Sequence, residues 1–361
     1  MILAAVTLLL GCAGWLVLGR MRRCAPAPGT DPAGERLSII IPARNEENNL
    51  PTLLRSLGGQ PARPREIIVV NDASTDGTTD VATRHGARVV QSQLLPDGWR
   101  GKTWACHQGA QAATGGLLLF LDADTWFEPD GLRRVLREFE SAGGGALSVA
   151  PHHEVRKSHE QFSAFFNLVM LAGTGAFTLR GDGLAPRGLL GQFLLIERAA
   201  YQRAGGHESV KGRILENFWL AEKLRDAGVS LRCRAGRGVF AFRMYPAGWR
   251  EMVEGWTKGF ASGAGQTPLP ILLLVITWMT GLMLAPLSLA LVGLRWPGLT
   301  VYALCAGQVW WMLRRAGTFH WAAALLYPAP LMFYFAVFAR SAWRAARKQK
   351  VEWKGRQIRA G

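Results

Sequence analysis

Two aspartates, Asp122 and Asp124, are separated by a single residue and lie directly after the apolar run 117–121, in the segment LLLFLDADTWFEPDG. Carboxylates at this spacing repel each other, and withdrawing either of them from water is costly unless a cation lies between them. Carboxylate oxygens are the ligands that Mg²⁺ and Mn²⁺ prefer in proteins. The pattern therefore predicts a divalent metal site, held by Asp122 and Asp124, at the end of a buried strand.

Other polar motifs also follow apolar runs. PARNEE (42–47) follows LSIII, and NDASTDGT (71–78) follows EIIVV. The short acceptors of the second motif, Asp72 among them, suit a nucleobase or a ribose, and an Asx-turn that caps the next helix is the alternative. Lys102 stands near the start of a predicted helix, where a cation and backbone amides can meet phosphate. A solvated lysine is the alternative there.

The elements that must position these residues alternate along residues 36–268, where short apolar runs are separated by amphipathic helical segments. This alternation predicts βαβ units and an α/β fold with a Rossmann-like, mostly parallel sheet. Ligands of such sheets bind beyond the carboxyl ends of the strands. We therefore expect the three acidic motifs to converge on one rim.

The composition indicates membrane segments at both ends of the chain. The 361 residues are 49% hydrophobic and 19% charged. Residues 1–24 contain an apolar stretch about long enough to cross a bilayer, and Arg20, Arg22 and Arg23 follow it. A cleaved signal peptide, the alternative, has its positive charges before the apolar core. The positive-inside rule places the residues after Arg23 in the cytoplasm.

Three apolar blocks (269–294, 298–313 and 319–339) predict a C-terminal membrane domain over 269–340, of two or three segments. The tail 341–361 is basic and is expected to stay in the cytoplasm. Three crossings would place it outside, so one block, either 298–313 or the YPAP-interrupted 319–339, is expected to be re-entrant or interfacial. The expected location is the cytoplasmic (inner) membrane, with several crossings and a cytoplasmic catalytic domain.

The net charge of +16 raises the question of a nucleic-acid partner. No aromatic-basic RNA motif or recognition-helix pattern is present, and much of the excess charge flanks the apolar blocks. An anionic leaflet and an anionic substrate explain the charge, so no nucleic acid is expected. Five cysteines without CxxC spacing support neither a disulfide framework nor a zinc site and predict reduced thiols.

Taken together, SIIIPARNEENNL, EIIVVNDASTDGT, GKTWA, LLFLDADT, GQFLLIERAAYQRAGGHESV and LENFWLAEKLRDAG resemble the family 2 glycosyltransferases with the GT-A fold. The resemblance covers about residues 36–260. Within the family the chain is similar to the membrane-bound, lipid-modifying subgroup that includes bacterial carotenoid glycosyltransferases of the diaponeurosporenoate type. The terminal VEWKGRQI looks like the Trp-Lys-Gly-Arg tail of that subgroup.

The resemblance implies roles for the motif residues. It implies a nucleotide-sugar donor bound by Asp72 and by the turn of Pro42, Arg44, Asn45 and Glu46. It also implies Mn²⁺ or Mg²⁺ on Asp122 and Asp124, with Lys102 near the phosphates. A lipid hydroxyl or carboxylate would attack the anomeric carbon with inversion, the transferred sugar being a hexose, expected to be glucose from UDP-glucose.

The proton acceptor is where the chain departs from the family. The usual base is the Asp of a Glu-Asp pair at a helix start, and here Glu216 is followed by Asn217. Asparagine cannot take a proton at neutral pH. Three hypotheses follow: Glu216 serves as the base, the acceptor is a carboxylate that needs no base, or the chemistry is lost.

Gln192 and Trp256 are expected on the acceptor side. Trp256 would stack on the sugar or acceptor, and a core or interfacial tryptophan is the alternative. Two other functions stay open at this point. One is glycosyl transfer to a polyprenyl phosphate, and the other is a catalytically inactive membrane protein that binds a sugar nucleotide or a lipid.

Overall fold

A computed structural model of the chain describes residues 2–26, 34–213, 215–292, 296–347, 350–353 and 356–359. Its strands are β1 (Leu37–Ala43), β2 (Glu66–Asn71), β3 (Arg88–Gln91), β4 (Leu117–Leu121), β5 (Thr125–Phe127), β6 (Ala146–Ala150), β7 (His152–His153), β8 (Phe193–Glu197), β9 (Leu231–Ala235), β10 (Phe240–Phe242), β11 (Lys350–Trp353) and β12 (Arg356–Arg359). Its α-helices are α1 (Ile2–Leu18), α2 (Leu50–Gly58), α3 (Thr78–Arg84), α4 (Gly101–Ala112), α5 (Gly131–Ser141), α6 (Ala164–Gly173), α7 (Arg198–Arg203), α8 (Glu216–Asp226), α9 (Trp249–Gln266), α10 (Leu269–Val292), α11 (Trp296–Ala316), α12 (Trp321–Leu325) and α13 (Pro328–Ala346).

The chain divides into two compact units. One, the sheet unit, consists of Arg23–His152 and Gly188–Phe242. The other, the helical unit, consists of Met1–Arg22, His153–Arg187 and Arg243–Gly361. The motifs that follow β1, β2 and β4 all belong to the sheet unit, so the site can be described within it.

A seven-stranded sheet in the order β3-β2-β1-β4-β8-β6-β9 forms the centre of the sheet unit. β1 and β4 are apolar and almost wholly buried because helices cover both faces of the sheet. On one face Ile39 and Ile41 share a core with α2 and α5 residues such as Leu53 and Phe139. On the other face α4 approaches β1 closely at Gly109, where a Cβ atom would lie 2.4 Å from the Ile40 side chain.

The sheet is mostly parallel, which confirms the predicted α/β, GT-A-like fold. β3, β2, β1 and β4 run parallel, as do β6 and β9, whereas β8 is antiparallel to both β4 and β6. The carboxyl ends of β1, β2 and β4 therefore lie at one edge. Because Leu121 pairs with Phe193 at the start of β8, the residues just before β8 reach the same edge.

The helical unit contains the apolar segments. The Trp278 indole donates to Gln308 Oε1 at 2.9 Å, and the Gln308 amide donates to Gly11 O at 2.9 Å, so these bonds connect α10, α11 and α1. Leu269–Leu291 is the one candidate among the described helices with the length and apolar composition to cross a bilayer, and Ile2–Leu18 is apolar but shorter. Block 298–313 lies within α11, and block 319–339 is divided between α12 and α13.

Candidate active site

A pocket opens at the carboxyl edge of the sheet, within the sheet unit. Strand ends, the start of α4, the segment before β8 and the start of α8 contribute to its wall. Its lining residues are Pro42, Lys102, Cys106, Phe120, Leu121, Asp122, Gly191, Leu194, His207, Glu216 and Asn217. The pocket therefore brings together Pro42, Lys102, Asp122, Glu216 and Asn217, which the sequence predicted as site residues from separate motifs.

Lys102 is the cation of this pocket. Its Nζ lies 2.6 Å from Asp122 Oδ1, 3.1 Å from the Gly191 carbonyl oxygen and 4.0 Å from Glu216 Oε1. Burial alone would lower the pKa of Lys102, but the negative charges of Asp122 and Glu216 raise it above its usual range. Lys102 is therefore a permanent positive charge paired with the carboxylates, and the solvated-lysine alternative does not describe it.

Glu216 and Asn217 form a pair at the N-terminal end of α8. The Asn217 amide donates to Glu216 Oε1 at 3.1 Å. This arrangement depends on Gly191, where a Cβ atom would lie 2.3 Å from Asn217 Nδ2. Asn217 thus orients its neighbour's carboxylate.

Asp124 lies in an anionic environment. Burial and the negative charges of Asp122 and Glu46 together raise the pKa of Asp124 to about 7. In addition, Gln192 Oε1 is a buried oxygen for which the described residues provide no hydrogen-bond donor. The Gln192 main-chain carbonyl accepts the Asp122 N–H at 3.2 Å, so this residue is adjacent to the pair of aspartates.

The carboxylates of Asp122 and Asp124 are ligands that fit a hard divalent cation. Among the described residues, no group of three or more His, Cys, Asp or Glu side chains has metal-ligand spacing. Mg²⁺ at nucleotide sites is ordinarily bound by one or two carboxylates, with phosphate oxygens and water completing its shell. Asp122 and Asp124 supply two carboxylates, and excess negative charge surrounds Asp124.

The turns after β1 and β2 interlock at the same edge. Arg44 donates to the Asp72 carbonyl oxygen at 2.7 Å, Asn45 N–H to Ser74 Oγ at 3.0 Å and Glu46 N–H to Thr78 Oγ1 at 2.8 Å. The structure therefore joins Arg44, Asn45, Glu46 and Asp72 in one hydrogen-bonded double turn. Asp76 Oδ1 accepts the Thr78 N–H at 3.1 Å at the start of α3, so the Asx-turn that was the alternative for NDASTDGT is also present.

Trp256 belongs to the helical unit. Its ring stacks on Phe166 at 4.7 Å, its indole N–H donates to Ser163 Oγ at 3.1 Å, and only 6% of the residue is exposed. Within its unit Trp256 is packed as a core tryptophan, and its acceptor-side role stays a prediction.

Among the lining residues that sequence reasoning did not predict are Cys106, Gly191 and His207. Burial raises the pKa of the Cys106 thiol well above its usual range, so this residue lines the wall as a small apolar group. His207 lies in the resembling motif GQFLLIERAAYQRAGGHESV, and that was the only available signal for it. Gly191 begins the same motif, but its close approach to Asn217 is visible only in the structure.

Comparison with known proteins gives consistent results. A sequence model of the family described as "Glycosyl transferase family 2" matches residues 38–182. A protein of Staphylococcus aureus (strain MRSA252), 4,4'-diaponeurosporenoate glycosyltransferase, is 36% identical over 330 residues, which cover 89% of this chain and 88% of that protein. The same named protein from S. aureus strain USA300 matches with the same identity and coverage.

The fold also has a counterpart among solved structures. Mannosyltransferase PcManGT from Pyrobaculum calidifontis, in complex with GDP-Man and Mn²⁺, superposes with a TM-score of 0.54 at 19% sequence identity. The superposition covers 95% of this chain and 98% of that one. At this level of identity the likeness concerns the fold, and it extends over nearly the whole chain.

Proposed function

The chain belongs to the family 2 glycosyltransferases, in their carotenoid-type group, and on this premise we propose that it transfers a hexose from UDP-glucose to a carotenoid or similar isoprenoid lipid. The proposed reaction is a single displacement that inverts the anomeric carbon. The lipid oxygen forms a bond to that carbon as the bond to the diphosphate oxygen breaks. UDP carries away the electron pair.

One observation carries the proposal: Lys102, Asp122, Glu216 and Asn217 line one pocket at the carboxyl edge of the sheet. We assign the nucleotide to the double turn of Arg44, Asn45, Glu46 and Asp72, and the diphosphate to the side of Lys102 and Asp122. Mn²⁺ or Mg²⁺, held by Asp122 and Asp124, would supply positive charge to the leaving diphosphate. Lys102 adds a fixed cation that needs no rearrangement as that charge develops.

Glu216 is the proton acceptor in this proposal when the lipid presents a hydroxyl. Its carboxylate is held by the Asn217 amide at 3.1 Å, and Lys102 lies 4.0 Å away. A carboxylate acceptor would attack already ionised, and the base would then be dispensable. The S. aureus relative is named for such an acid, diaponeurosporenoate, which makes a polyene carboxylate the acceptor to test first.

We assign residues 1–24 and 269–340 to the membrane and residues 341–361 to a basic cytoplasmic tail, with the catalytic residues on the cytoplasmic side of the inner membrane. Helix Leu269–Leu291 supports this assignment by its length and composition. A lipid acceptor would then be in the same bilayer that anchors the enzyme.

The test is a transfer assay with the full chain in lipid vesicles that contain a polyene carboxylic acid, its alcohol or a polyprenyl phosphate. We expect UDP-glucose to yield a hexosyl ester of the acid in the β configuration, because inversion of the α-linked donor gives that anomer. An α-linked product would contradict inversion. Transfer to the polyprenyl phosphate alone would contradict the acceptor assignment.

A further inference from the structure

We propose that His207 binds the transferred sugar, donating a hydrogen bond from Nε2–H to one of its hydroxyl oxygens, and that Tyr201 is the positioning residue that sets this tautomer. The proposal deepens the proposed function and rests on it. His207 lines the same pocket as Lys102 and Glu216, yet neither the motif analysis nor the proposed mechanism gives it a role.

The hydrogen bonds of Tyr201 determine which ring nitrogen carries the proton. The Tyr201 hydroxyl oxygen accepts the His207 main-chain N–H at 3.0 Å and lies 2.9 Å from His207 Nδ1. Were Nδ1 protonated, the buried hydroxyl proton would have no acceptor among the described residues, which is unfavourable. The hydroxyl therefore donates to Nδ1, and Nε2 carries the ring proton.

Packing fixes the imidazole in this orientation. The ring meets Phe120 edge to face at 4.8 Å, and the residue is 4% exposed. Gly206 has a φ of +50°, and a Cβ atom there would lie 2.5 Å from the Tyr201 ring, so glycine lets the phenol lie against the backbone. No described group pairs with Nε2, which leaves this donor to a molecule that enters the pocket.

Charge and chemistry indicate a sugar hydroxyl. Burial, with the positive charges of Lys102 and His107, lowers the pKa of His207 to about 3, so the ring is neutral in any ordinary assay. It is thus a donor through Nε2, and neither an acid nor a base for the reaction. The pocket also presents Asp122 and Glu216 as acceptors and Asn217 as both donor and acceptor. Such a mixture of donors and acceptors beside apolar walls suits the hydroxyls of a hexose.

The test compares UDP-glucose with its 2-, 3-, 4- and 6-deoxy analogues for wild type, H207F, H207Q and Y201F. H207F keeps a flat ring without a donor, and H207Q keeps an amide donor. H85Q, which changes the exposed His85, is the matched control. We expect H207F to lower kcat/KM for UDP-glucose about tenfold to a hundredfold, H207Q to recover part of this, and H85Q to stay at the wild-type value.

The decisive result is non-additivity. One deoxy donor should be a poor substrate for wild type. For that donor kcat/KM should be no lower in H207F than in wild type, because the same hydrogen bond is already missing. UDP affinity should be equal in wild type and H207F. If the ranking of the deoxy donors is the same in H207F as in wild type, or if H207F loses UDP affinity by the same factor as it loses kcat/KM, the assignment of His207 is overturned. The proposed function is not affected by either result. A wild-type chain that turns over none of these donors overturns the proposed function and this assignment with it.

Discussion

Replacing Lys102 with methionine should change metal affinity and catalysis in opposite directions. Its Nζ lies within hydrogen-bond distance of Asp122 Oδ1, at 2.6 Å, and of Gly191 O, at 3.1 Å. The 4.0 Å separation from Glu216 Oε1 is an electrostatic contact only. Methionine keeps the length of the side chain, removes the charge and releases Asp122.

The expected change in Mn²⁺ affinity follows from the hydrogen bond between Lys102 and Asp122 that is lost. A hydrogen bond between charged groups contributes about 1.5–3 kcal/mol. The Lys102 and Asp122 side chains are 33% and 26% exposed, so solvent screening places this bond at the lower end of that range. Because about 1.4 kcal/mol corresponds to a factor of ten, the released Asp122 should bind Mn²⁺ about tenfold more tightly. Transfer should fall about 10²- to 10³-fold, since a preorganised cation beside the leaving diphosphate is gone.

Mn²⁺ titration and transfer kinetics on the same preparations test this prediction. K102R is the matched control, because it keeps the positive charge and should leave Mn²⁺ affinity near the wild-type value. Weaker Mn²⁺ binding together with weaker transfer in K102M would refute the reasoning, as it would show that Lys102 supports the site instead of competing for Asp122. A wild-type rate of transfer in K102M would refute the proposal that Lys102 stabilises the leaving diphosphate.

Three further predictions concern the same unit. E216Q should lower kcat about 10²- to 10³-fold with an alcohol acceptor and change it little with a carboxylate acceptor, and equal losses in the two assays would contradict the base assignment. G191A should lower kcat about tenfold because its Cβ would displace Asn217, whereas G58A, where a Cβ meets open space, should have no effect. Although burial alone would raise the pKa of Glu66, hydrogen bonds from Thr114, Ser38 and Arg88 lower it to about 2. The stability that these bonds contribute should be complete above pH about 4.5 and lost as pH falls toward about 2. Denaturation at a series of pH values should therefore show that the free energy of unfolding falls less steeply at acid pH for E66Q than for wild type.

The sheet and the position of the site could be predicted from sequence because both follow from local patterns. Apolar runs indicate buried strands, and parallel strands present their carboxyl ends at one edge. That geometry brought the residues after β1, β2 and β4 together, and the predicted α/β fold and the glycosyltransferase family are confirmed.

The contacts inside the pocket could not be predicted in this way. Lys102 meets Gly191 and Glu216 through the packing of α4, α8 and the segment before β8, and no local pattern encodes that packing. The role of Asn217 as a donor to Glu216 depends on a missing Cβ at Gly191. His207 and Tyr201 lie in one quoted motif, but a lone histidine carries no spacing signal, and the hydrogen bond between the two side chains is apparent only from the fold.

The central claim is that Asp122 and Asp124 hold the divalent cation that serves the leaving diphosphate. Its most direct test is Mn²⁺ binding to the full chain in the presence of UDP, followed by electron paramagnetic resonance, for wild type, D124N and the matched control E128Q. We predict one bound Mn²⁺ per chain for wild type and E128Q, and binding at least about a hundredfold weaker for D124N. Equal Mn²⁺ binding by D124N and wild type would contradict the claim.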